Sequence, residues 1–130
     1  MHKAMHKAAF TVMTLAALAG PAGSATPELG VDIMQSIEDL NKSLASHIAL
    51  RDARGSTSDA KELDTLFADV EAHFVARGDA ENAVALSKKT RTLALQIVRF
   101  IEAKDFGAAT DTATDLARTC KTCHNFYKKE

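Results

Sequence analysis

Tryptophan is absent from the chain, tyrosine occurs once, and proline and cysteine occur twice each. Both prolines, Pro21 and Pro27, lie near the N-terminus, so no proline interrupts a helix in the remaining hundred or so residues. The two cysteines, Cys120 and Cys123, are three positions apart. A bridge between them would close a very small loop and remove little chain entropy, which makes a structural disulfide a poor explanation for the pair. Basic residues are not in excess, with 16 Lys and Arg against 17 Asp and Glu, and the basic face that nucleic-acid binding usually needs is not apparent. Runs that alternate apolar and polar residues and are rich in β-branched types, the signature of half-buried strands, are also missing.

What is present begins with a leader-like segment. Met1 to Lys7 carries Lys3 and Lys7 and no acid, an apolar run follows from Ala8 to Ala19, and small residues close the segment at Gly23 and Ala25. That order of positive, apolar and small residues predicts a secretory signal peptide over residues 1–25, cut after Ala25. The apolar run of 12 residues is shorter than the ~20 that span a bilayer, so no membrane span is expected in the mature form. Residues 26–130 are then one exported, periplasmic domain, more acidic than the whole because Lys3 and Lys7 leave with the leader.

Helical periodicity recurs four times. Ile33, Ile37, Leu40, Leu44 and Ile48 form one apolar stripe on a helix from about Leu29 to Asp52. Arg54-Gly55-Ser56-Thr57-Ser58 reads as a break with N-cap candidates. Leu63, Leu66, Phe67, Val70 and Phe74 make the second stripe, which Gly78 ends. Ala83, Val84, Thr90, Ala94, Ile97, Val98 and Ile101 outline a third helix that stops near Lys104. Asp105 can cap the fourth, with Phe106, Ala109, Ala113, Leu116, Ala117 and Cys120 on its inner face. The fold class expected is all-α, an antiparallel four-helix bundle with up-down-up-down order.

The chemistry lies in Cys120-Lys121-Thr122-Cys123-His124. C-x-x-C-H is the attachment pattern of c-type haem: two thiols add across the porphyrin vinyl groups and the adjacent imidazole binds the iron. At ~100° per residue, Cys123 and His124 flank Cys120 on a helix, so the three can grip one flat ligand. A redox dithiol would be expected beside a βαβ pattern, which this chain lacks, and further ligands at zinc spacing are not set out. The cofactor expected is one covalent haem (heme c) per chain, with His124 as a metal ligand.

In an up-down-up-down bundle the first helix starts where the fourth ends. Met34 therefore shares an end with His124, and it is the one methionine left after the leader. A thioether opposite histidine is a standard axial pair that raises the reduction potential. Met34 is expected as the second axial ligand, against the plainer reading of a core methionine filling a gap. His73, bordering the second stripe, is a weaker candidate, and His47 is expected at the surface of the far end. Ala108, Ala109, Ala113 and Ala117 keep the fourth helix thin and so allow close packing. Lys121, Lys128 and Lys129 complement a helix C-terminus or steer an acidic redox partner.

A C-x-x-C-H near the C-terminal end of a helical chain, followed by Tyr127 and Lys128, resembles the class II c-type cytochromes, the cytochrome c′ group. The resemblance implies a left-handed four-helix bundle, often a homodimer, with covalent haem and His124 as proximal ligand. Low-spin members are similar in having a methionine from the first helix, where Met34 stands; high-spin members leave the iron five-coordinate and bind small gases such as nitric oxide. This chain differs in having no basic residue between Thr26 and Asn41, where members often place one near a haem propionate. The leading expectation is a periplasmic electron carrier serving redox partner proteins. The alternatives are a gas-binding protein and a haem subunit of a larger oxidoreductase. With no second cofactor motif and no nucleophile–base pair, an independent enzyme is not expected.

Overall fold

The computed structural model describes Gly20 and residues 29–127; the expected leader, Gly20 aside, and Lys128 and Lys129 lie outside the described residues. Four helices follow one another: α1 Val31–Ala49, α2 Ala53–Arg77, α3 Glu81–Glu102 and α4 Phe106–Tyr127. Each packs on its neighbour in sequence, and α4 returns to pack on α1, which closes the bundle. Short joints make the neighbours antiparallel, so the up-down-up-down bundle is the observed architecture. The α1–α4 seam is the least extensive of the four.

The turn between α1 and α2 comes earlier than the glycine and hydroxyl residues suggest. Arg54 to Ser58 are helical, and the chain reverses at Leu50, Arg51 and Asp52. Arg51 takes a left-handed conformation at φ 56°. Asp52 N–H then bonds back to the His47 carbonyl at 2.9 Å, a helix-ending arrangement that satisfies an otherwise orphaned carbonyl. Asp52 next caps α2 by accepting from the Gly55 N–H at 3.0 Å. The α3–α4 joint repeats this design: Lys104 has φ 58°, Asp105 N–H bonds to the Phe100 carbonyl at 2.8 Å, and Asp105 accepts from Ala108 N–H at 3.0 Å. Gly78, at φ 73°, ends α2 as expected.

Gly55 has a steric role within α2. A Cβ there would lie 2.6 Å from Asp52 Oδ2 and 2.7 Å from both Cγ and Nδ1 of His47. His47 is thereby accommodated between the helices, where its Nδ1 lies 2.8 Å from Asp59 Oδ2. This corrects the expectation that His47 is a surface residue: its side chain is 33% exposed and its partner Asp59 12%. Glycine to alanine inside a helix normally gains ~1 kcal/mol. Gly55→Ala is expected to do the reverse, destabilising the fold by about 1–3 kcal/mol as the imidazole is displaced. Urea titration of the two proteins measures the sign.

The core is drawn from all four helices. Ile37, Leu44 and Ile48 meet Leu63, Phe67, Val70 and Phe74, then Ala94, Ile97, Val98 and Ile101, with Ala109 and Leu116 from α4. The first three stripes match their expected faces, with Ile33, Leu40, Leu66 and Val84 at the margins. On α4 the buried face is rotated: Ala117 is exposed, while Thr112 and Thr119 are buried. Their hydroxyls donate to the carbonyls of Ala108 at 2.8 Å and Asp115 at 3.0 Å. A threonine satisfied within its own helix can present its methyl to the core without an unpaired donor.

Candidate functional site

The last two turns of α4 carry Cys120, Cys123 and His124. Taking Leu116 as the inward direction, at ~100° per residue Cys123 lies ~20° to one side, Cys120 ~40° and His124 ~80° to the other. Burial follows those angles. Both cysteines are half-buried and pack against the core cluster, whereas His124 is exposed. The flank bearing Cys120 and His124 faces α1, because Asn41 Nδ2 of α1 donates to Cys120 Sγ over 3.6 Å.

Met34 occupies the matching flank of α1. With Leu44 as the inward direction, Asn41 and Met34 lie ~60° and ~80° to the same side. Met34 is half-buried and touches the core cluster. Measured from the Asn41–Cys120 level, Met34 is about 10 Å and His124 about 6 Å toward the same end, at 1.5 Å rise per residue. The two side chains thus flank opposite lips of the α1–α4 seam, offset by about 4 Å along the axis. His73 is on α2, half-buried, with its ring edge-on to Phe74 at 5.1 Å.

Further contacts hold this end together. Tyr127 stacks at a tilt on Phe74 of α2, ring centroids 5.4 Å apart, and so ties the end of α4 across the bundle. Val31, Val75 and Phe126, at 84%, 58% and 61% exposure, leave apolar surface uncovered around the same end. Ala113 and Ala117 lie on the α1 side of α4, one half-buried and one exposed, which keeps the outer seam shallow just above Cys120. Lys121 is exposed beside the motif.

Burial raises the thiol pKa of both cysteines; at Cys120 the Asn41 hydrogen bond partly opposes this, and at Cys123 the neighbouring Cys120 adds to it. Both are therefore S–H groups at neutral pH, poorly reactive as nucleophiles. In the unmodified chain, both should react with iodoacetamide more slowly when native than when denatured. Rates followed by mass spectrometry check this. Among the described residues no three His, Cys, Asp or Glu side chains converge as a metal-ion site, so a four-donor zinc cluster of the usual kind is not assembled.

Cys120, Cys123, His124 and Met34 are the side chains that could hold a porphyrin. Two neutral thiols one turn apart face inward, an imidazole stands at the seam, and a thioether stands on the facing helix. Sequence reasoning missed Asn41, whose pairing joins positions 79 residues apart and leaves no local signal beyond one polar side chain beside an apolar stripe. Comparison with known proteins adds no assignment: no family model matches the chain, and neither a curated protein nor a solved structure matches it.

Proposed function

We propose that the chain is a mono-haem c-type cytochrome that passes single electrons between redox partner proteins in the periplasm. The observation that carries this reading is the C-x-x-C-H motif on the last turns of α4, with its thiols turned to the core and Met34 across the seam from His124. Cys120 and Cys123 would hold the group through two thioethers, and His124 and Met34 would bind its iron. The haem would supply a one-electron couple. Each thiol would add across one vinyl group, the sulfur taking one carbon and the thiol hydrogen the other, an addition that needs no oxidant or reductant.

The remaining work belongs to the protein. Covalent bonds at two consecutive turns of one helix would fix the ring plane against α4. Ligands from two packed helices favour a coordination sphere that changes little between oxidation states, as fast electron transfer requires. Phe74, Tyr127 and Ile37 supply apolar surface at that end and would limit water near the iron. An intact mass of the exported protein tests the attachment. One haem added per chain, retained through denaturation, is expected; an unmodified mature chain would remove the reading.

A second reading has its own observation. Met34 already packs on the core cluster, and if it stays there the iron would be five-coordinate behind Met34 and Ile37. Such a site would bind small gases such as nitric oxide. Ile33 and Leu40 turn to the α2 side of α1 and would take less part in it.

A further inference from the structure

Asn41 is a polar side chain on a flank of α1 that otherwise presents Ile37, Leu44 and Ile48 to the core. Placing a carboxamide there costs free energy unless it finds a partner, and its partner is the Cys120 sulfur at 3.6 Å. The bond crosses the least extensive seam of the bundle. At the N-terminal end of α1, Gly30 offers no side-chain cap and Val31 is exposed. A single polar residue in an apolar helix seam selects one register over its neighbours, as a lone asparagine does in coiled coils.

The register selected is the one that matters to the site. Asn41 is two turns from Met34 on the same flank of α1, and Cys120 is one turn from His124 on α4. We propose that Asn41 is a positioning residue: by donating to the Cys120 sulfur it pins α1 against α4 and sets the height at which Met34 meets the iron opposite His124. This rests on the haem reading above. A thioether sulfur keeps a lone pair and remains a weak acceptor, so Cys120 can still accept from Asn41 after attachment. The effect of Asn41 on the iron is then indirect and passes through Met34.

The test uses Asn41→Leu, which keeps the volume and removes the donor, in the exported, haem-loaded chain. Haem should stay covalently bound. Carbon monoxide affinity should rise a few-fold to about tenfold, the range one lost hydrogen bond supplies, and the reduction potential should fall. In a Met34→Leu background, Asn41→Leu should change neither. A second readout needs no haem: in the chain made without it, the Tm shifts of Asn41→Leu and Cys120→Ala should be non-additive, because each removes the same bond. Additive shifts, an unaltered carbon monoxide affinity, or an equal change in the Met34→Leu background would each overturn the assignment of Asn41 while leaving the haem reading intact. A wild-type chain without covalent haem would instead overturn the haem reading, and the role of Asn41 toward the iron with it.

Discussion

Replacing both Cys120 and Cys123 with alanine is expected to turn a chain that keeps all its haem in acidified organic solvent into one that releases essentially all of it. The two bonds that would survive such treatment are the proposed thioethers. The proposed axial bonds would not survive, since acidified solvent breaks coordinate bonds to iron. The half-buried cysteines pack against the core, so the double substitution also removes two sulfurs from the end of the bundle. Some loss of stability is expected from that alone, but packing loss does not account for solvent extraction of the pigment. Each single substitution should leave the haem attached by one thioether. Haem that resists extraction from the double variant would show that another group holds it.

Met34→Ala carries the second large effect. With the thioether gone and the facing helix offering no other donor, the iron should pass from low-spin to high-spin and acquire an open position. The reduction potential should fall by tens to hundreds of millivolts, within the roughly 0.8 V that axial ligands span, because a thioether favours the ferrous state. Packing gives a contrasting expectation. A half-buried methionine truncated to alanine costs about 1–2 kcal/mol, less than the 2–5 kcal/mol typical of fully buried ones, and would leave spin state and potential alone. Visible spectra and equilibrium redox titration of the same samples separate the two outcomes, and an unchanged spectrum would remove Met34 from the coordination sphere.

The parts of this molecule legible in its sequence are those written in local spacing. Apolar residues three and four apart located α1, α2 and α3 with their buried faces, Gly78 marked a helix end, and Asp105 marked a start. The C-x-x-C-H spacing is local too, so the relative directions of its three side chains followed from helix geometry alone. The errors came where tertiary contact overrides local preference. Gly55 and its hydroxyl neighbours look like a loop, yet the glycine sits in a helix because His47 and Asp52 leave no room for a Cβ. His47 looks like a surface residue until the hairpin brings Asp59 to it.

On α4 the same conflict rotates the buried face. Apolar character favoured Ala117 for the core, but Thr119 and Thr112 are buried instead, which their hydroxyls permit by donating within their own helix. The Asn41–Cys120 contact was out of reach for a different reason. It depends on the axial offset between two antiparallel helices, which no residue near either position encodes. Topology alone could say that Met34 and His124 share an end; the flank each occupies follows once Asn41 shows which side of α4 faces α1.

The absorption spectrum of the purified, exported protein, ferric and ferrous, with and without carbon monoxide, tests the central claim most directly. A covalent c-type haem ligated by His124 and Met34 predicts a low-spin spectrum, with the weak sulfur-to-iron band in the red when ferric, and a ferrous spectrum that carbon monoxide alters only at concentrations far above those that saturate the Met34→Ala variant. A high-spin spectrum that shifts on adding carbon monoxide would contradict the Met34 ligand and the electron-carrier reading with it, and a protein with no haem absorption would contradict the account as a whole.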